Sequence, residues 1–307
     1  MQDILRVTVR LFCVQLASER SHAAMSQTLA IARDRAMNVL KATSRTFYIP
    51  IMLLPEGLKD AVASAYLCMR AIDEIEDHPE LESTVKASLL RRLSLKLQAG
   101  TGDKDRDNFA IEWGSATAAL PEVTLCIDEW AKLAPASIGP RIWEATASMA
   151  DRMAHWAEVN WTIKTPTDLD TYTFSVAGSV GLLLSDLWAW HDGTTTDRVQ
   201  AIGFGRGLQT VNILRNTQED RDRGISFYPD AWTREDMDAY ARRNLELADQ
   251  YTASLPEGPA LQFCKIPLVL AHGTLDKMAS GKEKLSRLDV ISLLSSVLGD
   301  AAKQLAS

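Results

Sequence analysis

The chain has 307 residues, enough for one large or two ordinary domains, and is 46% hydrophobic and 24% charged, so a packed core is expected rather than disorder. A formal charge of −7 argues against a nucleic-acid partner, whose phosphates require a basic surface. Cys13, Cys68, Cys126 and Cys264 are scattered without a CxxC pair, which suits reduced thiols in a cytoplasmic protein better than a disulfide framework or zinc site.

In chain order, residues 1–25 read as an extension, either a start upstream of Met25 or a peripheral helix. Their apolar run Val7 to Leu16 is broken by Arg10 and lacks the form of a secretory signal. Residues 26–307 read as one all-α domain, a helical bundle with a central cavity. Apolar residues recur at threes and fours across Ile31–Thr43, Leu58–Glu76, Val85–Leu97 and Ile142–Ile163. The same period returns across Gly178–Trp190, Val199–Arg221, Arg234–Leu255, Pro259–Ala279 and Val290–Leu305. Breaks are expected at Pro50, Pro55, Pro79, Gly100–Gly102, Pro135–Pro140, Pro166, Gly193, Pro229 and Pro256–Pro259. The longest uncharged stretch, Thr171 to Ser185, is too short to cross a bilayer, although loose contact with a membrane surface fits a lipid-like substrate.

Two acidic clusters stand out. Asp73-Glu74-Ile75-Glu76-Asp77 ends one helical stretch, and Asn216-Thr217-Gln218-Glu219-Asp220 ends another. Four-residue spacing places Asp73 with Asp77, and Asn212 with Asn216 and Asp220, on common faces. Carboxylates on apolar helices call for a compensating cation, and Mg²⁺ carrying a diphosphate is a natural one. A water-facing helix end before Pro79 is the plainer reading of the first cluster, and capping with exposed charge that of the second. Between them, Tyr172-Thr173-Phe174-Ser175-Val176-Ala177-Gly178-Ser179-Val180-Gly181 carries small residues that admit close approach of a helix or a ligand.

These segments resemble the squalene and phytoene synthase family. Tyr66 through Asp77 looks like its first aspartate-rich motif, and Ser44-Arg45-Thr46-Phe47-Tyr48 resembles its Ser-Arg/Lys-Ser-Phe entry. Tyr172 through Gly181 is similar to its Tyr-x-x-x-Val-Ala-Gly-x-Val-Gly element. Asn212 through Asp220, followed by Phe227-Tyr228-Pro229, resembles its second motif, and Phe263-Cys264-Lys265-Ile266-Pro267 with Thr274-Leu275 a later segment of squalene synthases.

The resemblance implies an isoprenoid-synthase bundle in which Mg²⁺, held by Asp73, Glu76, Asp77, Glu219 and Asp220, grips the diphosphate of an allylic prenyl donor. It implies catalytic roles for Asp73, Asp77 and Tyr172. Ser44, Arg45, Phe47, Tyr48, Arg70, Asn212, Arg215, Asn216 and Phe263 would contact substrate. Three departures bear on the acceptor. Asn216 stands where members joining two diphosphates usually carry Asp, Ile225-Ser226 replaces a basic residue, and the segment from Thr274 to Lys284-Leu285-Ser286-Arg287 is short beside NADPH-dependent squalene synthases. They point to prenyl transfer onto a small non-diphosphate acceptor, an indole- or carbazole-like aromatic. The alternative is head-to-head condensation of two farnesyl or geranylgeranyl diphosphates to squalene, dehydrosqualene or phytoene. A third reading is a prenyl-diphosphate binder without turnover, against which the intact Asp73, Glu76 and Asp77 stand.

Overall fold

The computed structural model describes residues 30–44, 46–100, 109, 111–282 and 284–298, and among them every regular element is helical. Helix α1 covers residues 30–43. It is followed by α2 (Tyr48–Met52), α3 (Glu56–Glu76), α4 (Ser83–Gly100), α5 (Glu122–Leu125), α6 (Ile127–Leu133) and α7 (Gly139–Glu158). Then come α8 (Pro166–Thr173), α9 (Ser179–Asp192), α10 (Arg198–Asp222), α11 (Arg234–Ser254), α12 (Pro259–Ala279) and α13 (Arg287–Leu298). The expected extension at residues 1–25 lies outside the described residues.

Helix α3 runs through the middle of the bundle. Its Leu58, Ala61, Leu67, Cys68, Ile72 and Ile75 are wholly enclosed, and α5, α6 and α7 pack around it. A helix apolar on nearly all sides belongs inside a large domain. Trp130 of α6 fills the adjoining space, its indole donating to the Val123 carbonyl at 2.8 Å while its own carbonyl accepts the Ser64 hydroxyl at 2.7 Å.

The helix starts are chemically marked. Thr165 and Asp168 form a capping box with Pro166 at the first turn of α8, Thr233 and Asp236 form another at α11, and Asp197 caps α10. Two sequence expectations differ. Pro50, read as a break, lies inside the short α2, where the first turn of a helix needs no proline N–H. The periodic stretch read as Ile142–Ile163 ends at Glu158, because the chain turns through left-handed Asn160 (φ 49°) and Trp161 (φ 47°).

The small-residue element lies where α9 and α10 cross. Residues Phe174–Gly178 form a π-helical turn leading into α9, a distortion frequent at functional sites. A Cβ added at Gly181 would sit 2.0 Å from the Ala201 carbonyl oxygen, and one at Gly205 2.1 Å from that of Ala177. Only glycine fits at these two points.

Candidate active site

Beside that crossing opens a cavity of about 1420 Å³. Its body is apolar, walled by Phe47, Val62, Met149, Val180, Leu184, Phe204 and Phe263 among others. Phe47 lies at 6.2 Å from Phe263 with nearly parallel rings and at 5.9 Å from Tyr66, so aromatic faces form a continuous part of the lining. Toward the C-terminal ends of α3 and α10 the wall turns polar, with Arg70 and Asp73 from α3 and Asn212, Arg215, Asn216 and Glu219 from α10. Lys284 and Arg287 join them. Residues of both sequence clusters thus line one cavity, Asp73 from the first and Asn216 and Glu219 from the second.

The expected site residues sort into three groups. Ser44, Phe47, Arg70, Asp73, Asn212, Arg215, Asn216, Glu219 and Phe263 line the cavity. Ser44 also accepts the Phe47 amide at 2.9 Å, which shapes the turn into α2. Asp77, Asp220, Glu76 and Tyr172 stand behind or beside that mouth rather than on the lining. Tyr48 lies on α2 with Lys41 5.8 Å from its ring, also off the lining. Arg45 lies outside the described residues.

Tyr172 is buried, stacked on Phe227 at 4.6 Å and edge-on to Trp156 at 5.4 Å. Burial raises its hydroxyl pKa well above the ordinary value, with Glu76, Asp77, Asp73 and Asp220 adding to the rise. One tyrosine thus feels the carboxylates of both helices, which places their charge in a single region.

The carboxylates are unequally compensated. Burial pushes Asp73 up to about 7; Arg70 opposes the rise and Asp77 and Glu74 reinforce it. Its side chain keeps 32% of its exposure, toward the cavity it lines, and its ion pair with Arg70 is long at 3.8 Å. Arg70 is drawn closer to Glu74, and its Nε is buried without a hydrogen-bond partner among the described residues. A cavity-lining cation with a donor unused is suited to an anion.

Glu76 is only 7% exposed. Its carboxylate accepts the Trp161 indole at 2.7 Å, its carbonyl accepts the Lys86 ammonium at 2.6 Å, and that ammonium lies 5.1 Å from the Trp161 ring. Burial first, then Asp77 and Asp73, raise its pKa well above normal, partly offset by Trp161 and Lys86. The left-handed Asn160-Trp161 pair is strained by roughly 1–3 kcal/mol per residue. It is held by these contacts and by the Ser83 hydroxyl on Asn160 at 2.7 Å. Trp161 and Lys86 carried no sequence signal, since Trp161 reaches Glu76 across 85 residues.

On α10, burial raises the pKa of Asp220 against the opposing Arg223, whereas the Lys284 ion pair at 2.9 Å lowers that of exposed Glu219. Arg215 turns its Nε to Asn216 Oδ1 at 3.1 Å.

The donor set fits Mg²⁺ in kind. Asp73, Asp77, Asp220 and Asn216 supply hard oxygens from facing helices, and the unrelieved charge on Asp73 favours a cation. Among the described residues, no three carboxylate, histidine or cysteine side chains already converge as a metal cage. Mg²⁺ commonly keeps several waters and binds through one or two carboxylates together with substrate phosphates. No helix among the described residues is long and apolar enough to cross a membrane.

Comparison with known proteins agrees with this geometry. The Squalene/phytoene synthase family model matches residues 40–239. Squalene synthase of Schizosaccharomyces pombe is 30% identical over 282 residues, covering 78% of this chain and 58% of that protein. The Eremothecium gossypii squalene synthase is 29% identical over 299 residues, covering 83% of this chain and 64% of that protein. The chain therefore spans less than two thirds of the length of these relatives. In fold it is similar to TcSQS bound to a ligand, with TM-score 0.72, 24% identity and coverage of 90% of this chain and 89% of that one. It is also similar in fold to a ligand-bound dehydrosqualene synthase, with TM-score 0.64, 19% identity and coverage of 88% and 96%. A bundle of this fold, with its motifs in order and a family match running from α1 into α11, belongs to the squalene/phytoene synthase family of prenyltransferases.

Proposed function

We propose that this chain condenses two allylic prenyl diphosphates head to head, releasing both diphosphates and giving a dehydrosqualene- or phytoene-type hydrocarbon by loss of a proton, or squalene where NADPH supplies a hydride. The cavity carries the reading. Its volume of about 1420 Å³ exceeds the roughly 300–1,000 Å³ of ordinary ligand pockets. An apolar body of this volume with a polar mouth suits two prenyl tails with their diphosphates together. The squalene synthases among the relatives support the same choice.

In this reading Asp73 and Asp77, with Asp220 opposite, hold Mg²⁺. When bound with the diphosphate, the metal neutralises the leaving group so that the C–O bond ionises without a protein nucleophile. Arg70, Arg215 and Lys284 donate to phosphate oxygens. The apolar walls keep water from the allylic cation, and the ring faces of Phe47 and Phe263 favour cationic character near them. Tyr172, buried against Phe227 and Trp156, lies off the cavity lining and within the field of the carboxylates. Glu76, tied to Trp161, orients the end of α3.

Asn216 favours a second reading, transfer to an aromatic acceptor such as an indole or carbazole. A neutral amide on the lining is a poorer metal ligand than the carboxylate it replaces, which weakens a second diphosphate site. Product analysis by mass spectrometry decides. The protein is incubated with Mg²⁺ and dimethylallyl, geranyl, farnesyl or geranylgeranyl diphosphate, with and without NADPH and a panel of indoles and carbazoles. A C30 or C40 hydrocarbon formed without any aromatic acceptor, dehydrogenated without NADPH or reduced with it, is expected, and a prenylated aromatic with no hydrocarbon would overturn the condensation reading.

A further inference from the structure

Helix α10 ends at Asp222, and Gly224, with φ at 76°, turns the chain away. The Ile225 amide closes that turn on the Asp220 carbonyl at 3.0 Å. Arg223 is thereby fixed at the helix C-terminus, where a cation is favoured by the helix dipole. From there its two terminal nitrogens separate. Nη1 donates to Asp77 Oδ1 at 2.9 Å and Nη2 to Asp220 Oδ1 at 2.9 Å. One guanidinium bridges the two acidic helices across 146 residues of sequence. Among the described residues it is the only ion-pair partner of either carboxylate.

We infer that Arg223 is a resident counter-cation that competes with the divalent metal for Asp77 and Asp220. The inference rests on the metal reading proposed above. The guanidinium and a metal ion both need oxygens of the same two carboxylates, and like charges brought together there repel. Arg223 spans the gap because its planar fork presents donors in two directions. Its 41% exposure leaves one side in solvent, so it can yield without rebuilding the core. Arg223 is thus a positioning residue: it holds the ends of α3 and α10 together and sets how tightly Mg²⁺ binds before substrate arrives. Asp73, whose ion pair among the described residues is the long contact to Arg70, stays available as the first point of attachment.

The test is Mg²⁺ titration by calorimetry on the full chain without substrate, comparing the wild type with Arg223→Gln. Gln removes the competing charge, so Mg²⁺ is expected to bind about fivefold tighter or more, while the melting temperature without metal falls. Arg223→Lys keeps a charge but has no fork, and its affinity should lie between the two. That variant carries the test alone if Arg223→Gln does not fold. A lower melting temperature with unchanged or weaker Mg²⁺ affinity would make Arg223 a simple clamp and overturn the inference. Absence of Mg²⁺ binding to every variant and to the wild type would overturn the metal reading itself and this inference with it.

Discussion

The two acidic helix ends have similar sequence patterns and different physics. On α3, burial pushes Asp73 up to about 7 with only a long contact to Arg70 among the described residues, Glu76 is raised well above its ordinary value, and Asp77 shares Arg223 with α10. On α10, Asn216 is neutral, Glu219 is satisfied by Lys284, and Asp220 by Arg223. A motif's letters alone do not reveal this difference. It comes from where the nearest cations lie, and it identifies α3 as the end that gains more from an added cation.

The sharpest way to break this contrast is to neutralise each end in turn. Asp73→Asn should reduce product formation by on the order of 10²–10³-fold or more, since it removes charge stabilisation at the leaving group. Near-normal turnover would remove α3 from its leading place. Asn216→Asp sharpens the contrast from the other side. If two diphosphates bind, an added carboxylate on α10 should hold or raise hydrocarbon yield, and a clear loss would show that α10 is adapted to a neutral residue.

The crossing beneath both ends should be intolerant of bulk. Gly205→Val meets the Ala177 carbonyl, for which a Cβ alone would lie at 2.1 Å. The overpacking should cost about 1–3 kcal/mol, read as a fall in melting temperature of roughly 2–4 °C per kcal/mol for a chain of this size. An unchanged melting temperature would mean that α9 and α10 separate easily.

Titration gives a subtler readout. A carboxyl whose pKa is raised on folding destabilises the protein fully above its folded pKa, progressively less as pH falls below it, and not at all below its unfolded pKa. In metal-free protein the contribution of Asp73 therefore becomes more favourable as pH falls from 8 through about 7 toward 6. The wild type should gain melting temperature relative to Asp73→Asn over that interval, and parallel curves would contradict it. The smallest effect is expected at Glu219→Gln, which breaks an exposed pair with Lys284. The melting temperature should barely move, since an exposed pair contributes little, and a clear loss would place α10's charge balance on a par with that of α3.

Much of this was legible in the sequence. Period-three-and-four patterning located the long helices, because α3, α10, α11 and α12 bury continuous apolar faces. Short elements escaped: α2, α5, α6 and α8 are too brief to display a period and are fixed by tertiary packing. Helical spacing put Asn212 with Asn216 on one face, and the family resemblance, rather than spacing, joined that face to Asp73 at one mouth. The roles of Trp161, Lys86 and Arg223 followed from neither, since each depends on a contact between distant segments. Tyr172 illustrates the limit of motif reading: its motif was recognisable, yet its side chain lies behind the carboxylates instead of on the lining.

The contact between Arg223 and Asp77 also bears on how the protein acquires its shape. Contacts so far apart in the chain form only after the intervening loop closes, which is slow relative to helix formation. During refolding, the acidic mouth should mature after the helical framework, and divalent cations in the medium would speed that last step by screening the charges that keep its two halves apart.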